Sequence, residues 1–180
     1  MSFNNSLNFI ATTYRNLEDE LKYELQFLLQ GFLPITYLNV KITGIVAGKL
    51  SGDPLRASKS LWDIAYHEPW KVKRVLRYIP IKYSCMSTID DITNTAGLIV
   101  QEIPAGSTYK VEAELRDTRL KWSEVINAVA QRMIGSKAKM NNPDYYIQVQ
   151  VLGAVCGISV LKEGDVFRAL EAKLAGSEFP

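Results

Sequence analysis

The sequence predicts an α+β protein built as two adjacent units. Two kinds of hydrophobic period carry this: period two in several short segments, and helical spacing in others. These segments alternate with short connections marked by Pro, Gly and capping residues. The cleanest alternation runs through Tyr145, Ile147, Val149 and Val151, with Tyr146, Gln148, Gln150 and Leu152 facing the other way. It follows an Asn142–Pro143 turn and ends at Gly153. A second, more apolar strand through Val155, Cys156, Ile158 and Val160 comes next.

In chain order, residues 7–13 (LNFIATT) predict a short strand. Asn16 is expected to cap a helix, with Asp19 in a loose capping box and Leu17, Leu21, Leu25 and Leu28 on one face. Gly31 and Pro34 interrupt the chain before two short strands, near 37–42 and 44–50. Asp53 followed by Pro54 reads as an N-cap with proline at the first helical position, opening a helix to about Tyr66. Strand, helix, strand, strand, helix is a ferredoxin-like unit lacking only its last strand. The stretch His67–Lys71 (HEPWK) reads as a boundary.

The second unit is expected to open with a strand, 74–83 (RVLRYIPIKY), with Pro80 marking an edge strand or a strand end. Thr88 and Asp91 form a capping-box variant before a helix to about Val100. Tyr109, Val111, Ala113 and Leu115 alternate inward against Lys110, Glu112, Glu114 and Arg116 outward. A helix over 123–134 presents Val125, Ile126, Val129 and Met133 to the core. A closing helix is expected over about 165–174, then a mobile tail to Pro180. The expected domains are 1–71, 72–165, and a C-terminal helix and tail over 166–180.

Of the chain's residues 47% are hydrophobic, as in a globular protein with a core. No apolar run reaches about eighteen residues, and no signal peptide is visible. Cys85 and Cys156, the two cysteines, suit a reducing compartment, so a cytoplasmic protein is expected. Net charge is only +2, but residues 71–140 hold 12 Lys/Arg against 7 Asp/Glu. Such asymmetry points to a polyanionic partner.

Catalytic patterns are wanting. Gly44 to Lys49 is one residue short of a phosphate loop, and Leu50 stands where Ser or Thr should hold a metal. A hairpin turn is the plainer reading. His67, the single histidine, reads as a connector residue, and Asp90–Asp91 as first-turn acids that complement the helix macrodipole. No cofactor and no metal site are expected. What remains is basic and aromatic: Lys71, Lys73, Arg74, Arg77 and Lys82, then Arg116, Arg119 and Lys121 beside Trp122, then Lys137 and Lys139. If the strand–helix loops cluster at one end of the sheet, these form one phosphate-neutralising face. Tyr83 and Trp122 would offer stacking surfaces for unpaired bases.

Several stretches resemble a known family. They are Arg77-Tyr-Ile-Pro80-Ile with Cys85 beyond, Lys110-Val-Glu-Ala-Glu-Leu-Arg116, the helix around Glu124–Ile126, Lys137 ahead of Asn142-Pro-Asp-Tyr145, and Ala154-Val-Cys-Gly-Ile-Ser-Val160. Over roughly 72–165 the chain resembles a THUMP domain with a mixed sheet. More narrowly it is similar to the stand-alone THUMP proteins that assist tRNA cytidine acetylation in archaea and eukaryotes. The resemblance implies a non-catalytic, tRNA-binding adaptor that recognises the acceptor end through both domains. The adaptor presents the tRNA to an RNA cytidine acetyltransferase that uses acetyl-CoA and ATP, for acetylcytidine formation in the D-arm. Carried onto this chain, it implies Arg77, Lys82, Arg116 and Lys137 as RNA contacts, with Arg119, Lys121 and Lys139 added on charge and position. The long charged extensions of eukaryotic members are nearly missing here, which leaves the tRNA and the partner enzyme open. Two alternatives stand beside this reading: a THUMP module serving a thiolation or methylation enzyme, and a small-ligand-binding α+β protein.

Overall fold

A computed structural model describes residues 7–177. The expected tail beyond 177 lies outside the described residues. The chain divides into two compact units: residues 7–80 with 164–177, and Ile81–Glu163. The boundary therefore falls at Pro80 rather than near residue 71. The C-terminal segment is not a separate appendage but rejoins the first unit.

The first unit runs β1 (Phe9–Thr12), α1 (Glu18–Leu28), β2 (Ile35–Tyr37), β3 (Ile45–Leu50), α2 (Pro54–His67) and β4 (Arg77–Pro80). After the second unit the chain returns as β10 (Phe167–Arg168) and α5 (Ala169–Ser177). The sheet order is β10-β4-β1-β3-β2, and all pairings are antiparallel. The segment 74–83 was expected to be one strand opening the second unit. It splits instead, because Pro80 carries no N–H and ends β4, which pairs with β1 from Thr12↔Arg77 to Phe9↔Pro80. That pairing places β4 between β1 and β10 in the first unit's sheet.

Helix α2 begins as expected, with the Asp53 carboxylate accepting from the Leu55 N–H at 2.9 Å. Helix α1 does not. Asn16 takes a left-handed conformation (φ 61), and Leu17 occupies the cap position without a side-chain bond. The Asn16 N–H donates to Glu18 Oε1 at 3.3 Å, and the Gly44 N–H donates to the same oxygen. The acid just inside the helix thus does what the asparagine was expected to do. Leu21, Leu25 and Leu28 bury against Phe9, Ala11, Val46 and Tyr78, and Phe9 stacks on Tyr78 at 5.4 Å. At the first unit's C-terminal end, Ser58 Oγ donates to the Asp165 carbonyl at 2.6 Å and Lys173 Nζ to the Val72 carbonyl at 2.5 Å.

The second unit runs β5 (Tyr83–Met86), α3 (Ile89–Ile99), β6 (Thr108–Arg116), α4 (Trp122–Ala130), β7 (Lys137–Ala138), β8 (Tyr145–Leu152) and β9 (Val155–Leu161). Its sheet order is β5-β9-β8-β6-β7. β6 pairs parallel with β8 and β7, while β9 runs antiparallel to β8 and β5. The expected alternation holds: Val111, Ala113 and Leu115 face the same core as Ile147, Val149 and Val151. Ile92, Ala96 and Ile99 of α3 close that core with Val125, Ala128 and Val129 of α4. Thr88 caps α3, its Oγ1 accepting from the Asp91 N–H at 3.1 Å.

Two tests follow from this packing. A Cβ added at Gly48 would stand 2.2 Å from the Thr36 carbonyl oxygen, whereas one at Gly97 meets nothing within 4 Å. Gly48→Ala is expected to destabilise by about 2 kcal/mol or more. Gly97→Ala, within α3, is expected to stabilise by about 0.5–1 kcal/mol. Urea unfolding of both variants checks this, and shifts of the same sign contradict it. The second test concerns acid. The Gly44 N–H chiefly holds the Glu18 carboxyl below its ordinary value of 4.5. Its stabilising contribution is therefore complete above pH 4.5 and lost as pH falls through the lower folded value. Glu18→Gln is expected to lower stability at neutral pH and to flatten the acid limb of a stability–pH curve; an unchanged acid limb contradicts it.

Candidate nucleic-acid interface

Within the second unit, the basic residues picked out in the sequence do not converge on one face. Arg77 lies in β4, in the first unit's sheet. Within the second unit, Lys82 leads into β5 at one edge of the sheet, and Lys137 lies in β7 at the other. Four inter-strand steps separate those edges, or about 19 Å. Arg116, Arg119 and Lys121 lie at and beyond the C-terminal end of β6, whereas Lys137 pairs with Thr108 at its start. At strand rise the two ends of β6 are about 26 Å apart. A single end was expected on the ground that strand–helix loops cluster at one end of the sheet, but only the loop of Arg119 and Lys121 joins a strand to a helix; Lys137 and Lys139 follow a helix. The parallel β7, wedged in after α4, carries Lys137 and Lys139 back to the opposite end.

Local bonding divides the set further. Arg116 is committed to the sheet: Nη1 donates to Gln150 Oε1 at 2.9 Å, Nη2 donates to Glu114 Oε2, and the side chain is only 21% exposed. Lys82 ion-pairs with Glu102 at 2.8 Å. The hydrogen bond to Glu102 raises its pKa. Tyr83, a proposed stacking surface, donates its hydroxyl to the same Glu102 at 2.9 Å and packs on the core. The side chains of Arg119, Lys121 and Lys137 make no hydrogen bond or ion pair among the described residues.

The loop after β6 is shaped to present its cations. Asp117 adopts a left-handed turn (φ 52), and Thr118 Oγ1 accepts from the Leu120 N–H at 3.2 Å. Leu120 packs on the core, so Arg119 and Lys121 on either side of it point outward. The Lys121 N–H donates to Glu124 Oε2 at 3.0 Å, fixing the start of α4. Trp122, the first residue of that helix, is 59% exposed. One end of the second unit thus offers two uncommitted cations, an open indole and the positive end of a helix macrodipole.

At the other end, Asp144 closes the turn before β8. Its Oδ2 accepts from the Thr108 N–H at 2.7 Å and from the Thr108 hydroxyl at 2.8 Å. These bonds, the backbone one first, hold the Asp144 carboxyl below its usual range, and Lys139 adds to the effect. An open cleft of about 570 Å³ lies beside it, lined by Ala105, Gly106, Ser107, Asp144, Tyr145 and Lys162. Lys162 Nζ sits 5.5 Å over the Tyr145 ring. Nothing in the sequence pointed to this pair, 17 residues apart along the chain, which the β8–β9 hairpin brings together.

The sheet face away from α3 and α4 carries a polar ladder. Gln148 Nε2 donates to Glu112 at 2.5 Å, and Gln150 Nε2 donates to Glu114 and to Gln148 at 3.3 Å each. Lys110 pairs with Glu112 at 3.0 Å. Gln148 and Gln150 are 2% and 0% exposed. The sequence placed them on the strand face opposite Ile147 and Val149; their amides are spent there holding β6 and β8 together. Each carboxylate on this face is paired with a cation, Glu112 with Lys110 and Glu114 with Arg116, so those two cations are committed to the ladder. Among the described residues no cluster of His, Cys, Asp and Glu is placed to hold a metal, and no helix is long and apolar enough to cross a membrane.

Comparison with known proteins places part of this fold in a family. Residues 86–161 match the THUMP domain family, so the chain carries a THUMP domain. It is related to THUMP domain-containing protein 1 of Bos taurus, at 28% identity over 60% of this chain and 32% of that protein. The Mus musculus protein of the same name is 28% identical over 54% of this chain and 30% of its own length. The match thus takes in about a third of these curated relatives. Among solved structures, PH1313 from Pyrococcus horikoshii aligns with a TM-score of 0.64 and 15% identity, over 87% of this chain and 55% of its own. A 4-thiouridine synthetase in complex with RNA and ATP aligns with a TM-score of 0.52 and 10% identity, over 87% of this chain and 42% of its own. Both alignments extend well past the THUMP match, so the likeness of fold takes in the first unit as well.

Arg116→Ala is expected to destabilise the protein by about 1–3 kcal/mol, because it strips Gln150 and Glu114 of a shared partner. Lys137→Ala is expected to stay within about 0.5 kcal/mol of the parent. Thermal unfolding checks the pair, and an unchanged melting temperature for Arg116→Ala contradicts the strut assignment.

Proposed function

We propose that this chain is a tRNA-binding adaptor without catalysis of its own. It presents tRNA, gripped at the acceptor end, to an acetyl-CoA- and ATP-dependent RNA cytidine acetyltransferase. The THUMP match over residues 86–161, shared with THUMP domain-containing protein 1, carries the reading. Uncommitted Arg119, Lys121 and Lys137, with the exposed Trp122, support an RNA contact at the ends of the second unit's sheet. Phosphates need mobile cations, and single-stranded bases need an open ring. In the same reading the first unit is ferredoxin-like, a view supported by its central strand order β4-β1-β3-β2, and the protein works in the cytoplasm. A second reading has the module serve a thiolation or methylation enzyme; the likeness to the 4-thiouridine synthetase–RNA complex favours it.

Arg119→Ala and Lys137→Ala are each expected to weaken tRNA binding and to reduce the slope of log affinity against log salt by about one. Unchanged slopes in both would remove these residues from the interface. The adaptor role is tested by reconstitution. Acetylcytidine in tRNA should rise when this protein is added to the acetyltransferase with acetyl-CoA and ATP, and no modified nucleoside should form without the enzyme. Modification by this protein and cofactors alone would overturn the proposal. A rise in thiouridine or methylated nucleoside with the corresponding enzyme, and none in acetylcytidine, would favour the second reading.

A further inference from the structure

Cys85 in β5 and Cys156 in β9 stand directly opposite each other in an antiparallel pair, and both are free thiols. Two positions along, the Ser87 N–H donates to the Ala154 carbonyl at 3.0 Å. Hydrogen-bonded pairs recur at every second position, so Cys85 and Cys156 occupy one, with Cα atoms about 5.5 Å apart. That spacing lies within the range a disulfide spans. Cβ atoms in such pairs stand toward the upper end of about 4.5–5.5 Å, wider than the roughly 3.8 Å a disulfide prefers. A bridge here would draw two strands together, and bridges under such tension are the readily reduced, regulatory kind.

We propose that Cys85 and Cys156 are a reversible modification site, a thiol pair that a hydroperoxide converts to an intradomain disulfide. β5 is the edge strand of its sheet, and Cys85 is 8% exposed while Cys156 is fully buried. Hydrogen bonds from Cys156 and Thr95 hold the Cys85 thiol below its usual range. Its bond to Cys85 and its burial push the Cys156 thiol up. Cys85 therefore meets the oxidant. Its thiolate attacks one peroxide oxygen, the O–O bond breaks, and a sulfenic acid forms as water or an alcohol leaves with the thiol proton. The Cys156 sulfur then attacks the Cys85 sulfur, and the S–S bond forms as a second water departs. The two thiols lose two electrons and two protons, and the peroxide takes them up. The bridge would tie the strand that opens this sheet to the last strand of the THUMP match, enclosing residues 86–155. The proposal stands independently of the RNA reading.

The test uses the full chain and stoichiometric hydrogen peroxide, followed by alkylation in denaturant and tryptic mass spectrometry. The expected product is monomeric, with peptides 83–110 and 140–162 linked and no alkylatable thiol left, and dithiothreitol reverses it. Cys156→Ser should instead accumulate a dimedone-trappable sulfenic acid on Cys85, and Cys85→Ser should leave Cys156 unoxidised. Two thiols still alkylatable after treatment, a bridge between two copies, or equal oxidation of either cysteine in the single variants would overturn the proposal.

Discussion

The parallel pairing of β6 with β8 is the constraint on which the second unit depends. Eight consecutive pairs run from Tyr109↔Tyr145 to Arg116↔Leu152. A slip of one residue would turn Val111, Ala113, Leu115, Ile147, Val149 and Val151 out of the core and drive glutamates into it. The opposite face guards the register from outside, because Glu112 meets Gln148 and Glu114 meets Gln150 only in this alignment. A parallel pair also needs a crossover, and the connection that supplies it holds α4 and β7. Those two elements carry Lys121, Trp122 and Lys137 to opposite ends of the sheet. The distribution of positive charge is thus a consequence of the pairing.

Much of this was legible in the sequence, for physical reasons. Period-two alternation marked β6, β8 and β9 because each has one face on a core. Asp53–Pro54 and Thr88–Asp91 marked helix starts because those side chains satisfy otherwise orphaned N–H groups. What stayed hidden depended on partners distant in sequence. The run 74–83 read as one strand with Pro80 at an edge or an end, and only the pairing of Arg77–Pro80 with β1 reveals that it serves two sheets. The return of Phe167 and Arg168 to the first unit's sheet rests on two residues too short a stretch to show a period.

The charge asymmetry was legible in composition, but the placement of the cations was not. The surplus of Lys and Arg in the middle of the chain precedes the THUMP match: residues 71–85 carry five Lys/Arg and no acid, whereas 86–140 carry seven of each. Sequence spacing could not tell a cation free to meet phosphate from one already bonded. Arg116 and Arg119 are three residues apart, yet one braces a glutamine and a glutamate while the other points outward beside a buried leucine. The alternation put Gln148 and Gln150 on the second face of their strand, but only their cross-strand partners Glu112 and Glu114 show that they are buried there.

The central claim is that this protein grips tRNA at its acceptor end. Affinity measured across a salt series, for intact tRNA and for tRNA lacking its single-stranded 3′ end, tests it most directly. The account predicts tight binding that weakens steeply with salt and drops when the 3′ end is removed. Equal affinity for the two tRNAs, or binding indifferent to salt, would contradict it.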